Sequence, residues 1–333
     1  MRLAIVRLTA MGDVIHTLAS MQFVKKACSH CHITWFVEEK FAPVLRNNPD
    51  VDAIIPLNLH GLKKGFSLGK TAEIYRKIKE AGPFDKIIDV QGLIKSALVA
   101  RIAGGEVSGL DRRSAREGVA SLFYRRTFGV DCAGIAPMRF ASLIAQSLDM
   151  EITEAMMQAK RPYLFSEKTK ETDTIAAMFD AKRKNILIIT GASNASKTYP
   201  EERWVETIAK LKAHRILLVA GSEEERKTAR EIASETGALL LPAMSLNALK
   251  YAVGRSDLLI GGDTGPSHMA WAMNRPSLLL FGSTPKTMMM ETPVNVALTS
   301  GAKVHPCRFD KSDRSIAAIN PESVAQTAQR LLA

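Results

Sequence analysis

Short runs rich in Val, Ile and Leu recur along the chain, separated by stretches in which apolar residues return every three or four positions. This alternation predicts parallel sheets, whose strands are buried on both faces, with crossover helices between the strands. In the first half the runs are RLAIVRL (2–8), ITWFV (33–37), AIIPL (53–57) and KIIDV (86–90). In the second half they are NILIIT (185–190), RILLVAG (215–221), ALLLP (238–242), LLIGG (258–262) and SLLLFG (277–282). Helical spacing predicts helices over 14–27, 201–214 and 223–237, the last stopped by Gly237. Between the halves, KRPYLFSEKTKETD (160–173) breaks the periodicity with a proline and many charges. The fold class expected is therefore α/β, with two Rossmann-like, doubly wound parallel-sheet domains over 1–165 and 166–333. At 333 residues the chain is long enough for each to bury its own core. Ligands of such sheets bind outside the carboxyl ends of the strands, so two domains facing a central cleft would line it with the loops that follow their strands.

Composition narrows the partner. No apolar run approaches the roughly 18 to 20 residues that span a bilayer, and Arg7 interrupts the short apolar stretch at the N-terminus, so a cytoplasmic protein is expected. Four cysteines are too few and too scattered for a disulfide framework, and CSHCH (28–32) lacks the second ligand pair that a structural zinc site needs. The net charge of +11 favours an acidic partner, and the excess is local: between His60 and Arg126 there are 14 Lys or Arg against 7 Asp or Glu. A phosphorylated substrate or an anionic membrane face fits that charge, and a basic run is as often simply a solvated face. Nucleic acid fits less well, since no helix-turn-helix, zinc-finger or base-stacking signature accompanies it and aromatics are only 6% of residues.

The loops after the strands hold the residues with chemical potential. In GGDTGPSH (261–268), a strand ends in two glycines and a helix opens, and its free N–H groups and dipole suit a phosphate. Thr264 and Gly265 are candidate donors to a diphosphate, with His268 one turn on. Asp263 is either a helix N-cap or a group with another task, such as accepting from sugar hydroxyls. In GASNASKTYP (191–200), Lys197 offers a mobile charge for phosphate, or is a solvated loop lysine. In AGSEEER (220–226), three glutamates balance a helix dipole, and Glu223 could instead accept from ribose hydroxyls. In RLTAMGDVIHT (7–17), Asp13 either caps a helix starting at Val14 or serves as a general base, with Gly12 leaving room for an acceptor. DVD (50–52) precedes its strand, at the wrong end of the sheet for a ligand, and reads as a turn. No G-x-G-x-x-G or G-x-x-x-x-G-K-[ST] pattern is present, which argues against a nicotinamide oxidoreductase and a phosphate-loop ATPase.

Together, MRLAIVRLTAMGDVIHTL, WFVEEKFAPV, DVQGLIKSALVARIAGG, AREGVASLFYRR, SKTYPEERW, GSEEER, PAMSLNALKYAV and GGDTGPSHMAWAMNRPSLLLFGST resemble the bacterial lipopolysaccharide heptosyltransferases, nearest their type I branch, from Met1 to about Thr284. The resemblance implies an inverting glycosyltransferase of GT-B architecture. It implies ADP-L-glycero-β-D-manno-heptose as donor, the first Kdo of Kdo2-lipid A as acceptor, and no cofactor or metal. The family's base matches Asp13. Its donor site matches Lys197 on the diphosphate, Glu223 on the ribose, Met244 beside the adenine, and Asp263, Thr264, Gly265 and His268 around diphosphate and sugar. Its acceptor side matches Gly12, Lys64, Lys95 and Arg116. The chain departs from the family at His60 and Gly61, where relatives carry two arginines, at Tyr199, where they carry tryptophan, and at Met138, where they carry an acid. The implied setting is the cytoplasmic face of the inner membrane, with neither nucleic acid nor an obligate protein partner. Two alternatives stand beside this reading: a transferase adding a later heptose, and a nucleotide-binding protein without transfer activity.

Overall fold

Parallel strands joined by helical crossovers build two separate sheets of six. The structure, a computed structural model, describes residues 1–64 and 67–333, with the side chains of 62–64 excepted. Two compact units divide the chain, Met1–Lys160 and Arg161–Ala333.

The first unit runs β1 (Arg2–Val6), α1 (Met11–Leu18), α2 (Met21–Ala27), β2 (His32–Glu38), α3 (Ala42–Leu45), β3 (Ala53–Leu57), α4 (Leu59–Lys64) and α5 (Leu68–Ala81). It continues through β4 (Lys86–Asp89), α6 (Ile94–Ala103), β5 (Glu106–Leu110), β6 (Arg126–Phe128), α7 (Ala136–Ser147) and α8 (Glu154–Gln158). Its strand order is β3-β2-β1-β4-β5-β6, parallel throughout. Connections from β1 to β3 move one way across the sheet, and those from β3 through β4 and β5 to β6 move the other way. Right-handed crossovers therefore place α1 on one face of the sheet, and α5, α6 and the 3₁₀ turn Gly118–Phe123 on the other. The packing agrees: α1 rests on α7, α5 on α6, and α6 on the 118–123 turn. Val6, Phe36, Ile87 and Val107 of the strands join Ile78, Ala97 and Ala120 in one buried cluster.

The second unit repeats the plan with α9 (Lys170–Ala176), β7 (Asn185–Ile189), α10 (Glu201–Lys210), β8 (Arg215–Val219), α11 (Glu223–Thr236), β9 (Leu239–Leu240), α12 (Leu246–Arg255), β10 (Leu258–Gly262), α13 (Gly265–Ala272), β11 (Ser277–Phe281), β12 (Asn295–Thr299) and α14 (Pro321–Leu332). The order is β12-β11-β10-β7-β8-β9, the same topology shifted by six strands. Strand order reverses between β1 and β4 in one unit and between β7 and β10 in the other, the switch points at which such sheets hold ligands.

Two features depart from the sequence expectation. The helix expected over 14–27 starts earlier and is two helices, separated at Ala19 and Ser20. Strands β5, β6 and β12 carry no unbroken apolar run, because polar residues or glycine interrupt them. The Gly237 stop is as expected, in left-handed backbone at φ 73°. The DVD turn is structural: Asp52 accepts from the Ile33 amide at 2.7 Å and pairs with Lys25 at 2.6 Å.

Candidate functional site

At the first unit's switch point, the loop leaving β1 is tied to the loop leaving β4. The Gln91 side-chain oxygen accepts from the Leu8 and Thr9 amides at 2.8 and 3.2 Å, and Arg7 Nη1 donates to the Val90 carbonyl at 2.7 Å. Gln91 is itself fixed by Asp89, which is fully buried and accepts from the Gln91 amide, Ser96 Oγ and Tyr124 Oη at 2.9, 2.7 and 2.8 Å. Burial pushes the Asp89 carboxyl up, while these donors pull it back. The tie delivers Asp13. Because α1 begins at Met11, Asp13 is the third residue of the helix and Ala10 precedes it as N-cap, so the reading of Asp13 as the cap of a helix starting at Val14 is corrected. Its carboxylate pairs with Arg7 at 2.5 Å and accepts from the Ala10 amide at 3.3 Å, with 29% of the side chain still exposed. Gly12 lies beside it in the same turn, half-buried.

Arg7 is the residue here that sequence reasoning missed. It is 6% exposed, lies 4.5 Å over the Phe140 ring and faces Asp13. Its signal was a charge inside an apolar strand run, since a buried guanidinium requires a carboxylate or aromatic partner. Arg139 stands close behind. Burial pushes its guanidinium below the ordinary value, the Asp13 carboxylate opposes that, and Arg7 adds to it.

The basic candidates of this unit fall on neighbouring loops. Lys95 is the second residue of α6, and Arg116 is exposed in the loop after β5. Glu117 stitches their segments together, accepting from the Ile94 amide at 2.7 Å and donating its own amide to the Gly92 carbonyl at 3.1 Å. The side chain of Lys64 lies outside the described residues. His60 donates its backbone amide to Glu38 at 2.8 Å.

The second unit's switch point is also bridged, here by side chains. Lys197, in the 3₁₀ turn Ala195–Lys197 after β7, pairs with Asp263 after β10 at 2.5 Å, and the other Asp263 oxygen meets His268 Nε2 at 3.0 Å. Asp263 and His268 are each 4% exposed and Lys197 is 20% exposed, so the reading of Lys197 as a solvated lysine is overturned. Burial alone would push the Asp263 carboxyl up, but the His268 hydrogen bond and the Lys197 ammonium hold it well below the usual carboxylate range. The N-cap of α13 is Thr264, with Gly265 as its first residue, so Asp263 is not the cap either. Its task in this structure is to hold a lysine and a histidine at the opening of a helix.

The two glycines before it serve that geometry. A side chain on Gly262 would strike the Lys197 carbonyl oxygen, and one on Gly261 would meet Ser267 and Ile189. Gly262→Ala is expected to displace the lysine turn and lower stability by about 1–3 kcal/mol, read as a fall in Tm on thermal unfolding.

Glu223 and Met244 stand on the next loops along the sheet. Glu223 opens α11 with its carboxylate exposed and paired with Arg230 at 2.7 Å, which holds it below the ordinary glutamate value. Its neighbour Glu225 does the capping instead, accepting from the Gly221 and Ser222 amides at 2.6 and 3.1 Å. Met244 is half-buried in the loop after β9. That loop is fixed on both sides, by Arg226 donating to the Leu241 carbonyl at 3.1 Å and by Glu171 accepting from the Ser245 amide at 2.7 Å. Neither Glu223 nor Met244 touches the Lys197–Asp263–His268 group, but the strand order β10-β7-β8-β9 lines the four loops up along one sheet edge. Three strand spacings, roughly 14 Å, separate the first from the last.

Tyr199 is buried edge-on against Trp204 with ring centroids 5.0 Å apart, and its hydroxyl donates to the Ile319 carbonyl at 2.7 Å. Met138 lies in the first turn of α7, beside Arg139. Burial, then Cys28, pushes the Cys31 thiol of CSHCH up to about 11. Among the described residues no group of three His, Cys, Asp or Glu is placed to hold a metal, and no helix is long and apolar enough to cross a membrane.

Comparison with known proteins gives a consistent outcome. The family described as glycosyltransferase family 9 (heptosyltransferase) matches residues 72–314. Lipopolysaccharide heptosyltransferase 1 of Campylobacter coli is 32% identical over 99% of both chains. Lipopolysaccharide heptosyltransferase 1 of Escherichia coli K12 is 32% identical over 85% of this chain and 88% of its own. Among solved structures, the E. coli heptosyltransferase WaaC with ADP-2-deoxy-2-fluoro heptose superposes with a TM-score of 0.77 at 26% identity, covering 99% of each chain.

Proposed function

The chain belongs to glycosyltransferase family 9, the heptosyltransferases, and from that premise we propose that it acts as a heptosyltransferase I, moving L-glycero-D-manno-heptose from ADP-heptose to the first Kdo of Kdo2-lipid A. The observation that carries this reading is the order of loops on the second unit's sheet. In sequence the residues run Lys197, Glu223, Met244, Asp263, whereas in space they run Asp263 and His268, Lys197, Glu223, Met244. That is the order of sugar, diphosphate, ribose and adenine in the donor, and the roughly 14 Å track suits a nucleotide sugar laid across the sheet.

The chemistry follows from the residues. A Kdo hydroxyl oxygen attacks the anomeric carbon of the heptose as the bond from that carbon to the diphosphate oxygen breaks. Asp13 takes the hydroxyl proton, the electron pair leaves on ADP, and the single displacement inverts the anomeric centre. Lys197 and the amides of Thr264 and Gly265 at the start of α13 meet the charge growing on the diphosphate. These fixed positive groups supply what a divalent cation supplies elsewhere, so transfer needs neither cofactor nor metal. Gly12, Lys64, Lys95 and Arg116 receive the acidic acceptor on the first unit. A lipid-linked acceptor sets the reaction at the cytoplasmic face of the inner membrane, with the protein held there peripherally.

The test is ADP release from ADP-heptose in the presence of chelator, with Kdo2-lipid A, with an already heptosylated acceptor, or with no acceptor. Release only with Kdo2-lipid A is expected. Release with the heptosylated acceptor alone would assign a later transfer step, and bound ADP without release on either acceptor would leave a binding protein.

A further inference from the structure

We infer that the outer layer of the first unit, formed by α5, α6 and the 118–123 turn, is a docking surface for an anionic lipid bilayer. These three elements cover one face of the sheet and pack side by side. Their inward residues are in the core, but each also carries large apolar side chains turned to solvent. Leu68 and Tyr75 are seven apart on α5, Ile94 and Leu98 four apart on α6, and Val119 and Leu122 three apart on the 3₁₀ turn. Each interval brings the pair to one side of its own helix type, so every element presents a stripe and not scattered residues. All six are between 40% and 80% exposed.

A surface that meets only water gains nothing from six such side chains on three adjacent elements, and exposed apolar area gathered on one layer marks a binding face. The charge around it selects the partner. Lys70 and Lys79 on α5, Arg101 on α6, and Arg112 and Arg113 in the loop before the 118–123 turn are exposed. The acids of α5 are already matched by its own bases, Glu73 by Lys77 at 3.2 Å and Glu80 by Arg76 at 3.9 Å. Exposed apolar side chains on elements that also carry an excess of exposed Lys and Arg, with Glu117 as the exposed acid just before the 118–123 turn, fit an interface of acyl chains beneath anionic headgroups, where insertion and charge attraction reinforce one another. A protein partner of the same shape would need acidic groups facing those bases, and a second copy of this chain would set like charges together.

The surface stands on these observations and does not depend on the transfer reaction. Where it touches that reading, it deepens it: Ile94 adjoins Lys95 and Val119 follows Arg116 by three residues, so the docking face borders the positions proposed for the lipid acceptor.

The experiment is co-sedimentation with extruded vesicles that contain no Kdo2-lipid A, of phosphatidylglycerol with phosphatidylethanolamine or of phosphatidylcholine alone. The protein should bind the anionic vesicles at least about tenfold better, and lose most of that binding at high salt. Leu98→Ser with Leu122→Ser, both on solvent-facing positions, should weaken binding by about tenfold or more, with Tm and ADP affinity unchanged. Equal binding to both vesicle types, no binding, or undiminished binding by the double variant would overturn the inference. So would a dimer in sedimentation velocity that the double variant dissolves, which would give the face to a second copy. Vesicle binding without heptosyl transfer would leave this surface standing and remove the proposed reaction, so the two readings fail separately.

Discussion

Asp13→Asn is expected to slow heptosyl transfer by about 100-fold to 10,000-fold, the usual worth of a positioned base, while ADP affinity stays within about twofold of the wild type. Asparagine keeps the shape of the side chain, including an oxygen for Arg7 Nη2 and the Ala10 amide, and removes the capacity to take a proton together with the negative charge that faces Arg7. ADP affinity is the internal control, because every residue proposed to bind the nucleotide lies in the other unit. The measurement is steady-state ADP release beside calorimetric titration with ADP. If Asp13 serves only to pin Arg7, the variant loses some stability and keeps its turnover. The pair itself makes that alternative concrete: Arg7 is buried, and a buried guanidinium without its carboxylate is destabilising. Activity and Tm must therefore be read together: a lower Tm reports the lost ion pair, and a loss of rate measured well below the variant's unfolding temperature reports the lost base.

How much of this was legible in the sequence follows from what local patterns encode. Most central strands were readable because β1, β7, β10 and β11 are buried along nearly their whole length and carry few polar residues. The strands toward one side, β5, β6 and β12, were not, since EVSGL, RTF and NVALT mix polar residues with few apolar ones and are held by pairing to a neighbour. The site loops could be located because they follow strands, and the partnerships within them could not, because they cross the sheet. Lys197 and Asp263 are 66 residues apart and meet only because β7 and β10 are neighbours at the point where strand order reverses. Asp13 and Asp263 each looked like a helix cap, and each is displaced from that role by a helix that begins one or more residues away from where composition placed it. Glu223 could be singled out among the three glutamates in the sequence, whereas the turn of Glu225 back onto Gly221 and Ser222 is visible only in the structure.

Asp263→Asn is expected to cost about 3 kcal/mol of stability at neutral pH, the low end for breaking a buried ion pair, because Lys197 retains partial access to water. The pH dependence gives the stronger signature. The folded carboxyl lies below its unfolded value of about 3.9, so its contribution is complete above that pH and drains away as acid takes the carboxyl through its folded value. Urea unfolding of wild type and variant should thus show a gap that is widest near neutrality and closes below about pH 4, with the wild type losing stability toward the variant. The effect on transfer separates holding from binding. Removing a negative charge beside the diphosphate track eases the approach of an anion, so ADP should bind no more weakly. Lys197, no longer held at the opening of α13, should then be misplaced when charge develops on the leaving group, and kcat should fall by about tenfold or more. A variant with wild-type kcat and weakened ADP binding would instead make Asp263 a direct donor contact, and the lysine would need no holder.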